Sequence, residues 1–155
     1  MKKLFIGIVL VLFGTTMFAQ GANDYLEVSR GVIKTEKKAA IAEAMQLTEA
    51  ESPAFWALYN EYNDKMYKVN TDLFNTIKDY SDHFESMTDE KALELWANTS
   101  KVESELLKLK KIYFKKFLKV LPPIKTVRYF QAENKIKALI DAELALEVPL
   151  FEEMK

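Results

Sequence analysis

The chain has 155 residues, 22 basic and 23 acidic, for a net charge of −1, with one histidine and no cysteine. The missing thiols exclude disulfides, thiolate metal sites and cysteine nucleophiles. The absence of a basic surplus argues against nucleic acid as a partner, because phosphate binding depends on one. Length and an apolar share of 49% suit one domain with a core of its own.

Met1 to Gln20 reads MKKLFIGIVLVLFGTTMFAQ, with Lys2 and Lys3 ahead of an apolar run from Leu4 to Phe13 and a small-residue exit at Ala19. That pattern predicts a secretory signal peptide, cut after Ala19 or Gly21, and a periplasmic location. The run is too short to span a bilayer, which takes roughly 20 apolar residues. Removing Lys2 and Lys3 leaves 20 basic side chains against 23 acidic ones, a net charge of −3, with seven Phe, seven Tyr and two Trp still present.

Residues 21–30 lack a period and read as a flexible lead-in, and residues 31–155 as one helical domain. From Val32 to Met45 the chain is rich in Ala, Lys and Glu, with Ile33, Ala40, Ile41, Ala44 and Met45 on one side, which predicts a short first helix ending near Gln46. Thr48 and Ser52 can each cap the next helix, and Pro53 suits its first position. Phe55, Tyr59, Tyr62, Met66, Val69, Leu73, Ile77, Tyr80, Phe84 and Met87 then recur at spacings of three and four. A helix over Pro53 to Phe84 would be about 48 Å long.

Thr88 restarts the pattern as an N-cap, followed by Asp89 and Glu90 where the helix dipole favours acids. Leu95, Val102, Leu106, Leu109, Tyr113, Phe117 and Val120 form the third seam. Leu121-Pro122-Pro123 stops that helix. A fourth follows from about Ile124 to Leu146, with Pro149 closing it. No glycine follows Gly31 and no alternating strand pattern occurs, so the expected fold is all-α, with two long central antiparallel helices and two shorter ones. Both an elongated hairpin or cradle and a compact four-helix bundle satisfy these periods.

Catalytic constellations are missing. His83 has Asp79 four residues earlier on the same helical face, but two ligands fall short of the three or four that zinc sites use. Acidic neighbours such as Glu49 with Glu51, Asp89 with Glu90 and Glu152 with Glu153 do not converge on a common atom. No phosphate loop, nucleophile elbow or HExxH is present. The expectation is a binding protein without enzymatic activity, cofactor or metal.

Candidate binding residues lie behind the main seams. On the second helix they are Trp56, Tyr67 and Phe74; on the third, Trp96, Leu107, Phe114 and Leu118. One partner helix cannot cover two stripes. The extra one either packs on flanking helices or a second copy, or stays open as an interaction surface. Six lysines between Lys108 and Lys119, Lys111 and Lys115 among them, flank it and suit acidic, unfolded clients.

Leu47-Thr48-Glu49-Ala50-Glu51, running into FWALYNEYNDKM, and Leu121-Pro122-Pro123-Ile124-Lys125, preceded by Lys111-Ile112-Tyr113, resemble the two LTxxQ motifs of the Spy/CpxP family of small periplasmic stress proteins. Glu51 stands where the motif has glutamine, and the second copy keeps its leucine and a helix-starting proline. The resemblance implies a cradle-shaped antiparallel homodimer that suppresses aggregation without ATP or modulates an envelope stress sensor. Leu47 and Leu121 would anchor helix starts, with Thr48 and Pro122 shaping them. The net acidity departs from the basic cradles of that family.

Two functions follow as expectations: an ATP-independent periplasmic chaperone for unfolded proteins, or an extracytoplasmic regulatory or metal-response module that binds one specific partner such as a membrane stress sensor.

Overall fold

The computed structural model describes residues 34–148 and residue 150. The expected signal peptide, the lead-in, the start of the first helix and Pro149 lie outside them. The described chain is helical throughout, with no strand among the described residues. Helix α1 occupies residues 34–45, α2 Ser52–His83, α3 Asp89–Phe117 and α4 Pro123–Glu147. A short 3-10 turn, Phe84–Ser86, joins α2 to α3. The two long central helices are those the periodicity predicts: α2 starts and ends one residue early, while α3 begins after Thr88 as expected and ends at Phe117, ahead of Val120 and the Leu121-Pro122-Pro123 stop.

Local chemistry explains the boundaries. Helix α1 stops where Gln46 takes a left-handed conformation with φ 44°, the position after a helix that glycine usually fills. Thr48 caps the start of α2 through reciprocal bonds: its backbone N–H donates to Glu51 Oε2 at 2.9 Å, and the Glu51 N–H donates to Thr48 Oγ1 at 3.3 Å. This is a capping box. The Ser52 N–H donates to the Thr48 carbonyl at 3.0 Å, so Ser52 sits inside the first turn and does not serve as the cap its sequence position allows. Thr88 caps α3 as expected, accepting from the Lys91 N–H at 3.2 Å.

Helices α2 and α3 form an antiparallel hairpin. Phe55 meets Phe117 with ring centroids 5.6 Å apart and Tyr62 meets Tyr113 at 4.9 Å, while at the far end Lys91 Nζ lies 2.7 Å from Asp79 Oδ2. A polar clasp reinforces the middle of the base. The Tyr113 hydroxyl donates to Glu61 Oε1 at 2.6 Å, Lys116 Nζ donates to the same oxygen at 2.8 Å, and that ammonium lies 4.5 Å from the Tyr113 ring centroid. The Lys116 ammonium, with the Tyr113 hydroxyl, holds the Glu61 carboxyl below its ordinary range.

The core gathers at one end of this hairpin. Ile41 and Met45 of α1, Phe55, Tyr59 and Tyr62 of α2, Tyr113 and Phe117 of α3, Leu121 before α4, and Tyr129 and Phe130 of α4 make one buried cluster. Tyr129 is its hub, with Phe117, Phe130 and Phe55 at 4.6, 5.0 and 5.3 Å between centroids. Edge-on and tilted rings at these distances add to what their buried area contributes. Toward the tip, the buried apolar residues thin out to Leu106, Val102 and Leu95. Of the two packings the periods allow, the described residues take the hairpin, with α1 and α4 packed on its base.

Truncating Phe117 to alanine should cost about 3–5 kcal/mol of unfolding free energy, because a fully buried aromatic leaves a cavity among fixed rings. Exposed Val127→Ala should stay within about 0.5 kcal/mol. Urea denaturation followed by circular dichroism checks both, and equal costs would contradict this placement of the core.

Candidate functional site

The two motif-like segments, 74 positions apart in the chain, meet at the hairpin base. Leu121 is buried in the core and Leu47 packs against it. Their fifth positions form an ion pair, with Lys125 Nζ 2.5 Å from Glu51 Oε2. The same ammonium reaches the Gln46 carbonyl at 3.5 Å. One lysine therefore ties the end of α1, the cap of α2 and the first turn of α4. Its hydrogen bond, followed by that from the Thr48 backbone, holds the Glu51 carboxyl below the ordinary range. Pro122 is exposed, and its carbonyl accepts the Thr126 N–H at 3.0 Å. Its part is to shape the turn into α4.

Nearby, the Glu133 carboxylate is buried beside Tyr59, Tyr62 and Tyr129. Burial first, and that charge second, push all three hydroxyls far above their usual range. They stay neutral at physiological pH.

The candidate binding residues divide by their distance from this base. Trp56 stacks edge-on against Phe55 and Tyr59 at 5.0 and 5.1 Å, and Phe114 packs on Phe130 at 5.3 Å. Both are partly buried against the core, so they belong to it more than to an open face. Phe74 is half-buried. Tyr67 is 41% exposed, Leu107 52%, Leu118 40% and Trp96 70%, joined by Leu93 at 70%.

At about 100° per residue, Leu93, Trp96, Leu107, Lys111 and Leu118 fall within an arc of roughly 60° on α3. They lie on the solvent side in two groups, Leu93 with Trp96 and Leu107 with Lys111 and Leu118, with Ser100 and Ser104 between them. The lysines of this helix sort likewise. Lys116 turns to α2 and Glu61, Lys110 turns to α4 and hydrogen-bonds Asn134, while Lys111 and Lys115 face solvent with Lys108 and Lys119.

A polar cleft of about 270 Å³ between α2 and α3 is lined by Asp72, Asn75, Thr76, Asn98, Lys101, Val102 and Glu105. His83 Nδ1 lies 3.0 Å from Asp79 Oδ1, and Asp79 is engaged chiefly by Lys91, which holds its carboxyl low. No group of three or more histidine, aspartate or glutamate side chains suited to a metal occurs among the described residues, and none of the described helices is long and apolar enough to cross a membrane.

Two features of the site were missed from the sequence although it carries their signals. The capping box is written there as Thr-x-x-Glu at 48–51. Leu93, the most N-terminal member of the exposed line, stands three residues before Trp96, a helical spacing that places it in the same arc.

The Glu51 pair has a definite acid signature. A carboxyl whose folded-state pKa is depressed contributes stability above the ordinary carboxylate value, and that contribution is lost as pH falls through the folded value. The stability difference between wild type and Glu51→Gln should therefore be constant around neutrality and shrink below about pH 4.5. Denaturation series from neutral to strongly acidic pH measure it; a difference that persists unchanged into strong acid would contradict the pair.

Compared with known proteins, the chain matches no family model, no curated sequence and no solved structure.

Proposed function

We propose that this chain is an ATP-independent binding protein for unfolded or envelope proteins, acting in the periplasm as a chaperone of the Spy/CpxP kind and assembling as a homodimer. The observation that carries the reading is the open line on α3. Trp96 and Leu93 are each 70% exposed on α3, and large apolar side chains held in solvent along one face usually mark an interaction surface. Lysines beside that line can add loose, long-range attraction to acidic clients without fixing a sequence. Further support comes from the hairpin base, where Leu121 enters the core, Leu47 packs against it and the two fifth positions pair as Glu51 and Lys125. Equilibrium binding needs neither nucleotide nor catalytic groups, which agrees with the chemistry missing from the sequence.

Purified protein should suppress light scattering by a denatured model client at near-stoichiometric ratio, without nucleotide. The double variant Trp96→Ser, Leu107→Ser removes two exposed side chains, each worth about 1.5–3 kcal/mol when fully covered. Suppression should weaken by about tenfold or more in apparent affinity, with the melting temperature unchanged. Unaltered client aggregation in the presence of folded wild-type protein sinks the chaperone reading, and recovery of one stoichiometric partner in its place favours a regulatory module.

A further inference from the structure

We propose that the outer face of the C-terminal part of α3 and the turn that follows it, from Leu107 to Lys119, docks on an anionic lipid surface. The first ground is charge. Residues 106–132 contain seven lysines and Arg128 and not one acidic side chain, in a chain whose net charge is −1. The structure then sorts these cations. Lys110, Lys116 and Lys125 are engaged with Asn134, Glu61 and Glu51, so they close seams between helices. Lys108, Lys111, Lys115 and Lys119 are all exposed. On the helical wheel they centre almost opposite the buried seam of Leu106, Tyr113 and Phe117.

The second ground is what accompanies them. Leu107 and Leu118 border the lysines on one side and Ile112 on the other, with exposures of 52%, 40% and 43%. Cations on flexible stems between large apolar side chains are the composition of interfacial helices, whose apolar groups enter the headgroup boundary while ammonium groups meet phosphates.

Shape decides between a lipid and an acidic polypeptide. The face is the convex side of a single helix, about 18 Å long over its 12 to 13 residues. A polypeptide would be held there through side chains alone, with no groove for its backbone, whereas a planar surface meets all four lysines together. The proposal does not depend on client binding.

The test is flotation of the full chain with vesicles of phosphatidylcholine, with or without phosphatidylglycerol. The leader, with Lys2 and Lys3, is common to every variant, so the lysine face is read from the difference in phosphatidylglycerol preference between wild type and the lysine variant. Binding should favour the phosphatidylglycerol vesicles and fall as salt is raised. Replacing Lys108, Lys111, Lys115 and Lys119 by glutamine should weaken that preference by about fivefold per lysine, with circular dichroism and melting unchanged. Leu107→Ser with Leu118→Ser should weaken it while leaving the salt dependence. Equal flotation with both vesicle types, an unchanged preference in the glutamine variant, or binding to polyglutamate with no vesicle preference would each overturn it. A phosphatidylglycerol preference that falls in the glutamine variant, in a wild-type protein that leaves client aggregation untouched, upholds this proposal and sinks only the chaperone reading.

Discussion

Everything in this molecule depends on the aromatic contact through which α4 closes the base of the α2/α3 hairpin. Two antiparallel helices can bury only the strips that face each other, and most of their remaining apolar surface needs a third element. Tyr129 supplies it, with Phe55, Tyr59, Tyr62, Phe117 and Phe130 all within ring-stacking range. Helix α1 covers the cluster from another side through Ile41 and Met45. Polar groups then lock the arrangement instead of building it. Lys125 fixes the entry of α4, and the Glu61 clasp fixes the register of α2 against α3.

Much of this was legible in the residues. Spacings of three and four located the seams, prolines and threonines located the ends, and every buried side chain of α2 and α3 belongs to a seam read from the period. What a period cannot say is which partner a face meets. Trp56 and Trp96 look equivalent as members of a second stripe, yet Trp56 lies at the base against the cluster and Trp96 lies near the start of α3, at the far end of the hairpin, 70% exposed. The same holds for Phe114 and Leu107. Distance from the closing helix decides their fate, and that distance is a tertiary quantity. The pairing of Glu51 with Lys125 is likewise invisible locally, since neither residue type predicts a contact across 74 positions.

Charge is distributed with the same asymmetry as packing. The N-terminal part of α3 carries Asp89, Glu90, Glu94, Glu103 and Glu105, and its C-terminal part carries only lysines. This orientation complements the helix dipole at both ends. It also gives one helix two electrostatic halves, so a near-neutral total conceals a cationic end beside the aromatic base. Net charge alone, used to weigh partners, averages that division away.

The crowding of the core at the base also sets where the molecule breathes. Amides of α2 and α3 near Tyr62 and Tyr113 can exchange with solvent only when the aromatic cluster opens, whereas those near the Phe84–Ser86 turn are guarded by half-buried side chains and the single half-buried ion pair of Asp79 and Lys91. Opening free energies of this kind grade from near zero up to the global value along a structure. The hairpin is thus a clamp with a stiff root and a loosening tip, and Trp96 stands on the portion that can yield while the root stays folded.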